Sequence, residues 1–188
     1  MTHSNHSESG FSALSAPDHS ADDVDADPRP LLVDVVIEDE GWAYLGDVEA
    51  VVTAVADAVG ERSDLKLGRA QAAIALASDA EVAALNGTYR GKPTPTNVLS
   101  FPASPHPPGL PGSARRFLGD IIVARETVLA EAADQNIPPV NHLQHLVVHG
   151  LLHLLGYDHE NDDDAHHMET FETSILAGLG IPDPYSLA

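Results

Sequence analysis

The sequence predicts a layered domain of the α/β or α+β kind, a small four-stranded sheet with one buried helix packed across it. Short runs rich in branched apolar residues lie at 31–38, 71–77, 97–101 and 117–123, and apolar residues at helical spacing fill most of the gaps between them. The stretch at 140–159, VNHLQHLVVHGLLHLLGYDH, is apolar on nearly every side, which at this length marks a buried helix rather than a surface one. Another helical pattern follows it. Strands separated by helices, with two helices in succession at the end, give a sheet with helices layered on it.

The first 29 residues hold six acids and one arginine, with only Phe11, Leu14 and Val24 as sizeable apolar groups. Such a segment buries too little surface to offset its ordering entropy. Residues 1–29 are therefore expected to form a disordered acidic tail, and 30–188 a single domain. LLVDVVIE at 31–38 is short and branched, hence a strand. From Trp42 to Val59, Leu45, Val48, Val52, Val55 and their neighbours recur at helical intervals and predict a first helix. After the strand at 71–77, Ser78 and Glu81 have capping-box spacing and start a second helix that runs to about Asn86.

Gly87, Gly91, Pro93 and Pro95 mark 87–95 as a loop with Arg90 near its start, and 97–101 as a short strand after it. Residues 102–116 are rich in proline and glycine and predict a surface excursion. FLGDIIV at 117–123 is a buried strand in which Asp120 reads as an edge or turn carboxylate, and 125 to about 135 is a third helix. Beyond the histidine-bearing helix, Asp162, Asp163 and Asp164 suit a helix start. Met168, Phe171, Ile175 and Leu176 give that helix its inner face, His166 and His167 are exposed on it, and Gly178, Gly180 and Pro182 end it.

With 188 residues and 43% hydrophobic content, the chain can bury a sizeable core. It has no cysteine, which excludes a disulfide framework and cysteine zinc sites and fits a reducing compartment. No apolar run approaches the length of a membrane span, and the N-terminus lacks the features of a signal peptide, so a cytoplasmic location without membrane contact is expected. The formal charge is −20, and all nine Lys and Arg residues lie at or before Arg125. This balance argues against tight nonspecific binding of RNA or DNA. A local basic patch remains open to Arg69, Arg90, Lys92, Arg115, Arg116 and Arg125.

The polar residues of the buried stretch are mostly histidines: His142, His145, His149 and His153. Residues four apart stack on one helix face, so His149 and His153 point the same way. Gly156 supplies a helix stop, and Tyr157 and Asp158 turn the chain to bring His159 back toward the pair. Spacings of four and then six, glycine included, are those of the ligands in the long zinc motif HExxHxxGxxH. Three neutral imidazoles suit one Zn2+ ion and leave a fourth position for water, the open arrangement of a catalytic site built for hydrolysis. The glutamate that follows the first histidine in peptidases is replaced by Gly150. Two readings of that glycine stand side by side: room for a bulky substrate, or close packing of a neighbouring element.

HGLLHLLGYDH at 149–159, LNGTYRGKPTPTNVLSFP at 85–102 and LGDI at 118–121 together resemble the YbeY family of bacterial metal-dependent endoribonucleases, with similar layout from about 31 to 185. The resemblance implies an α+β fold: a small mixed four-stranded sheet packed with about five helices, the metal site on a buried central helix. It also implies zinc held by His149, His153 and His159, with Arg90 as the further residue needed for cleaving single-stranded RNA. The implied role is maturation of the 3′ end of small-subunit (16S) rRNA and ribosome quality control. Single-stranded RNA and rRNA are the implied partners, with ribosomal proteins of the small subunit as further candidates and no DNA. One departure is Asn97, where the family commonly has aspartate. The competing readings are a zinc metallopeptidase-like hydrolase, disfavoured by Gly150, and a non-catalytic ribosome assembly factor with a stabilising metal.

Overall fold

The computed structural model describes residues 27–104, 115–159 and 161–186. Most of the expected acidic tail (1–26) and of the proline-rich excursion (105–114) lies outside the described residues. Within them, the chain forms strands β1 (Leu31–Ile37), β2 (Ala70–Ala77), β3 (Val98–Pro102) and β4 (Arg116–Ala124) and helices α1 (Val48–Gly60), α2 (Asp79–Arg90), α3 (Arg125–Asp134), α4 (Pro139–Leu154) and α5 (Asp162–Gly178). The strands make one mixed sheet in the order β1-β2-β4-β3. Strands β1, β2 and β4 are parallel, and β3 runs antiparallel to β4 at the far edge. This is the α+β mixed sheet that the resemblance implies.

Alternation along β4 divides the core into two layers, because successive strand residues face opposite sides. Ile121 and Val123 join the main cluster with Val52, Val55, Leu143, Val147, Leu151 and Leu176, while Ile122 and Ala124 pack with Val82 and Leu99 under α2. Leu118 shares the face of Ile121 although the two are an odd three positions apart, since the register against β2 shifts between Gln71 and Ala73. That bulge is centred on Gly119, whose φ of +138° and whose approach to Phe101 leave no room for a side chain. The α4 helix is the pivot of the main layer, touching α1, α3, α5, β3 and β4.

Gly150 is where α4 meets the sheet. A Cβ there would lie 2.9 Å from Ile121 Cδ1, 3.1 Å from Ile121 Cγ2 and 3.2 Å from Ser100 Oγ. Of the two readings of this glycine, close packing is the one that holds, and the position offers no substrate room. The helix pays about 1 kcal/mol of intrinsic stability relative to alanine in return for a short distance to the strands.

Two boundaries differ from the sequence reading, each for a local reason. The helix expected from Trp42 to Val59 is two elements, a 3-10 turn over Glu40–Leu45 and then α1, because Gly46 takes φ +85° and Asp47 caps α1 through Ala50 N. Helix α2 continues through Gly87 to Arg90, so the loop begins at Gly91, whose left-handed φ of +67° closes the helix. Arg90 thus projects from the last turn of a helix. A second 3-10 turn at Ser63–Leu65 has no counterpart in the sequence reading. The predicted capping box is present: Ser78 N donates to Glu81 Oε2 at 2.8 Å, and Glu81 N donates to Ser78 Oγ.

Candidate metal centre

Helix α4 presents His142, His145, His149 and His153 in a row along one side, and its C-terminus turns His159 back to meet them. The turn is a Schellman motif, with Tyr157 N donating to Leu152 O, Gly156 N to His153 O, and Gly156 at φ +93°. Tyr157 anchors the turn by packing edge-on against Phe171 of α5, ring centroids 5.0 Å apart. Asp158 does the work of a turn residue, its Oδ1 accepting from His159 N at 2.7 Å. As a result, one ligand nitrogen from each of His149, His153 and His159 lies within 4.8 Å of the others, and the Nε2 atoms of His149 and His153 are 3.0 Å apart.

The electrostatics suit a cation. Burial, and then the neighbouring His149 and His159, push the His153 pKa below its ordinary value, which keeps the ring in the neutral form that ligates metals. Behind His149 lies Glu172 of α5, with no exposed surface. Its Oε1 is 2.7 Å from His149 Nδ1 and its Oε2 is 3.0 Å from His145 Nε2, and the Tyr185 hydroxyl donates to Oε2. Burial alone would raise the Glu172 pKa, but these hydrogen bonds outweigh it and hold the carboxyl at about 2. The trio therefore sits in front of a buried negative charge. A soft-to-borderline imidazole donor set of this kind fits zinc.

Two clefts meet at this centre and share His149 and Val98. The smaller, about 340 Å3, is lined by Arg90, Ser100, His149, His153 and Asp158, so the structure brings Arg90 to the same cleft as two of the three predicted ligands. The larger, about 720 Å3, runs past His145 and His142 to Asn97, Glu131 and Asp134. There His142 Nε2 is 2.7 Å from Glu131 Oε2, and Asn97 Nδ2 donates to the same oxygen at 3.0 Å. An aspartate at 97 would face the Glu131 carboxylate, whereas the asparagine donates to it.

Other sequence candidates lie elsewhere. Arg125 pairs with Asp39 at 2.6 Å, and Arg115 is buried, donating to the carbonyls of Asp27 and Arg29. Asp120 is exposed on the opposite side of the sheet, in a cleft of about 390 Å3 with Glu38, Tyr89 and Phe101. His166 and His167 are exposed, as expected. Sequence reasoning misses Glu172, Tyr185 and the Glu131–His142 pair. For Glu172 a signal exists: it falls between Met168 and Ile175 on the stripe that faces the core, where an acid is out of place.

A family model described as Endoribonuclease YbeY matches residues 37–180. The chain belongs to the YbeY family. Among curated relatives, an endoribonuclease YbeY of Azorhizobium caulinodans is 49% identical over 156 residues, 82% of this chain and 96% of that protein. One from Bradyrhizobium diazoefficiens is 48% identical over 160 residues, 85% and 87% of the two chains, and one from Rhodopseudomonas palustris is 44% identical over 181 residues, 90% and 94%. The solution structure of TM1509 from Thermotoga maritima matches with a TM-score of 0.47 at 23% identity, over 78% of this chain and 91% of that one. The YbeY match contains the three histidines, Arg90 and Glu172, while Tyr185 lies just beyond it.

Proposed function

We propose that this chain is a zinc-dependent endoribonuclease specific for single-stranded RNA, acting in the cytoplasm on the 3′ end of 16S rRNA, with residues 30–188 as its single domain. The observation that carries the reading is the convergence of His149, His153 and His159, the first two lining a cleft that also holds Arg90, in a chain of the YbeY family. The curated relatives are named endoribonucleases. Ribosomal proteins of the small subunit are further candidate partners.

In this mechanism His149, His153 and His159 are the ligands of one Zn2+. When bound, such an ion supplies Lewis acidity and a nucleophile at neutral pH. Arg90 stands in the adjoining cleft as a fixed positive charge, and its guanidinium binds phosphate oxygens as negative charge gathers on them in the transition state. The two clefts on either side of His149 receive the strand on both flanks of the scissile phosphate. The peptidase reading needs a carboxylate beside the first histidine. Here that position is Gly150, and its Cβ direction points at Ile121 and Ser100 of the sheet. No glutamate placed there would reach a substrate.

The test is cleavage of single-stranded RNA and of casein by the wild type, H153A and R90E. The expected result is RNA cleavage by the wild type, none by H153A, a loss of roughly 100-fold or more in R90E, and intact casein throughout. RNA cleavage by H153A at the wild-type rate, or cleavage of casein alone, overturns the reading. RNA cleavage unchanged in R90E removes Arg90 from the mechanism.

A further inference from the structure

We propose that Glu172 is a positioning residue of the metal centre: its buried carboxylate holds His149 as the Nδ1–H tautomer, with the bare Nε2 turned toward His153 and His159. The inference rests on the reading above that these histidines hold an ion, and adds a residue from a separate helix to the machinery. A carboxylate only accepts hydrogen bonds, so the nitrogen 2.7 Å from Glu172 Oε1, which is His149 Nδ1, must carry the proton. A neutral imidazole has one N–H, which leaves Nε2 with its lone pair free. That is the atom 3.0 Å from His153 Nε2, where the trio converges.

The clamp is itself held. Oε2 accepts from His145 Nε2, one helical turn before His149, and from the hydroxyl of Tyr185, beyond the end of α5. With both oxygens engaged and no exposed surface, the carboxylate cannot swing into the trio as a fourth ligand without abandoning three donors. Glu172 thus acts through His149. It also ties the geometry of the centre to the docking of α5 and of the segment carrying Tyr185, because Glu172 on α5 joins two histidines of α4 to a tyrosine beyond the end of α5. A buried carboxylate of this kind is the usual outer partner of a metal-ligating histidine.

Glu172→Gln separates this role from mere support. Glutamine keeps the shape but offers one accepting end and one donating end to a nest of three donors. Its amide N–H2 must either face a donor or force a histidine into the other tautomer; turned toward His149 Nδ1, it would place the proton of that ring on Nε2. The full chain, made metal-free, is titrated with Zn2+ against a chromogenic chelator, with no RNA present. E172Q is expected to bind Zn2+ roughly 10- to 100-fold more weakly than the wild type while retaining its circular dichroism, and Y185F to show a smaller loss in the same direction. Nitrogen-15 NMR of the metal-free wild type is expected to show the His149 proton on Nδ1.

A folded E172Q whose zinc affinity stays within about twofold of wild type overturns the proposal. So does a wild-type spectrum with the His149 proton on Nε2, and that result stands even if E172Q does not fold. A wild type that binds Zn2+ but leaves RNA intact overturns the nuclease reading alone.

Discussion

The contact at Gly150 sets how close the histidine helix lies to the sheet, and a double-mutant cycle with Ile121 measures it. Gly150→Ala adds one carbon that meets Ile121 Cδ1 at 2.9 Å. The helix gains about 1 kcal/mol from alanine's propensity, and overpacking costs about 1–3 kcal/mol, so a net loss of about 1 kcal/mol is expected. Ile121→Val removes Cδ1 and costs about 0.5–1.5 kcal/mol by itself. In the double variant the colliding atom is gone, the propensity gain remains, and only Ile121 Cγ2 at 3.1 Å and Ser100 Oγ at 3.2 Å must yield slightly. The double variant should therefore be no less stable than I121V, a coupling of about 1 kcal/mol or more. Urea denaturation midpoints at constant slope give the four stabilities. Simple additivity, within about 0.5 kcal/mol, would refute the reasoning, because it would mean that residue 150 does not press on residue 121.

Two further predictions concern the supports of the fold. The Arg125 guanidinium first, and then the N–H of Gly41, hold the Asp39 pKa below the usual carboxylate value. A depressed folded pKa contributes stability that is complete above the unfolded value of about 3.9 and is lost as pH falls through the folded one. The stability gap between wild type and D39N should thus be full at neutral pH and shrink below about pH 4, as read by urea midpoints across that range; a gap that widens in acid would reverse the sign. Ser78→Ala removes the cap of α2, the helix that carries Arg90, and should cost about 1 kcal/mol in the same assay. An unchanged midpoint would show that Glu81 and the backbone cap α2 unaided.

Local patterns of the chain carried a large part of this. Short branched apolar runs placed all four strands, and helical apolar spacing with local cap signals placed the main body of the α-helices, since burial and capping leave their mark on neighbouring residues. The spacing of His149, His153 and His159, with Gly156 between, was enough to predict a shared ion, because helix geometry and a glycine turn are local devices. Helix ends were less legible at Gly46 and Gly87. Both are glycines, yet one takes a left-handed turn and the other is helical, where an added Cβ would meet Pro93 at 3.3 Å, and only the surroundings distinguish them.

What tertiary structure alone decided is how separated segments meet. The sequence states that Gly150 is small, but the fold states why: Ile121 and Ser100 arrive from two strands at the one place on α4 that must lie flat. The same holds for Glu172, whose carboxylate meets His149 and His145 across 23 and 27 residues of chain, and for Arg90, which reaches the centre from α2 through the shared cleft. Contacts within a few residues follow from backbone periodicity, so they can be read along the chain. Contacts between distant elements depend on how helices and strands pack, and the polar groups placed there become meaningful only when their partners are in place.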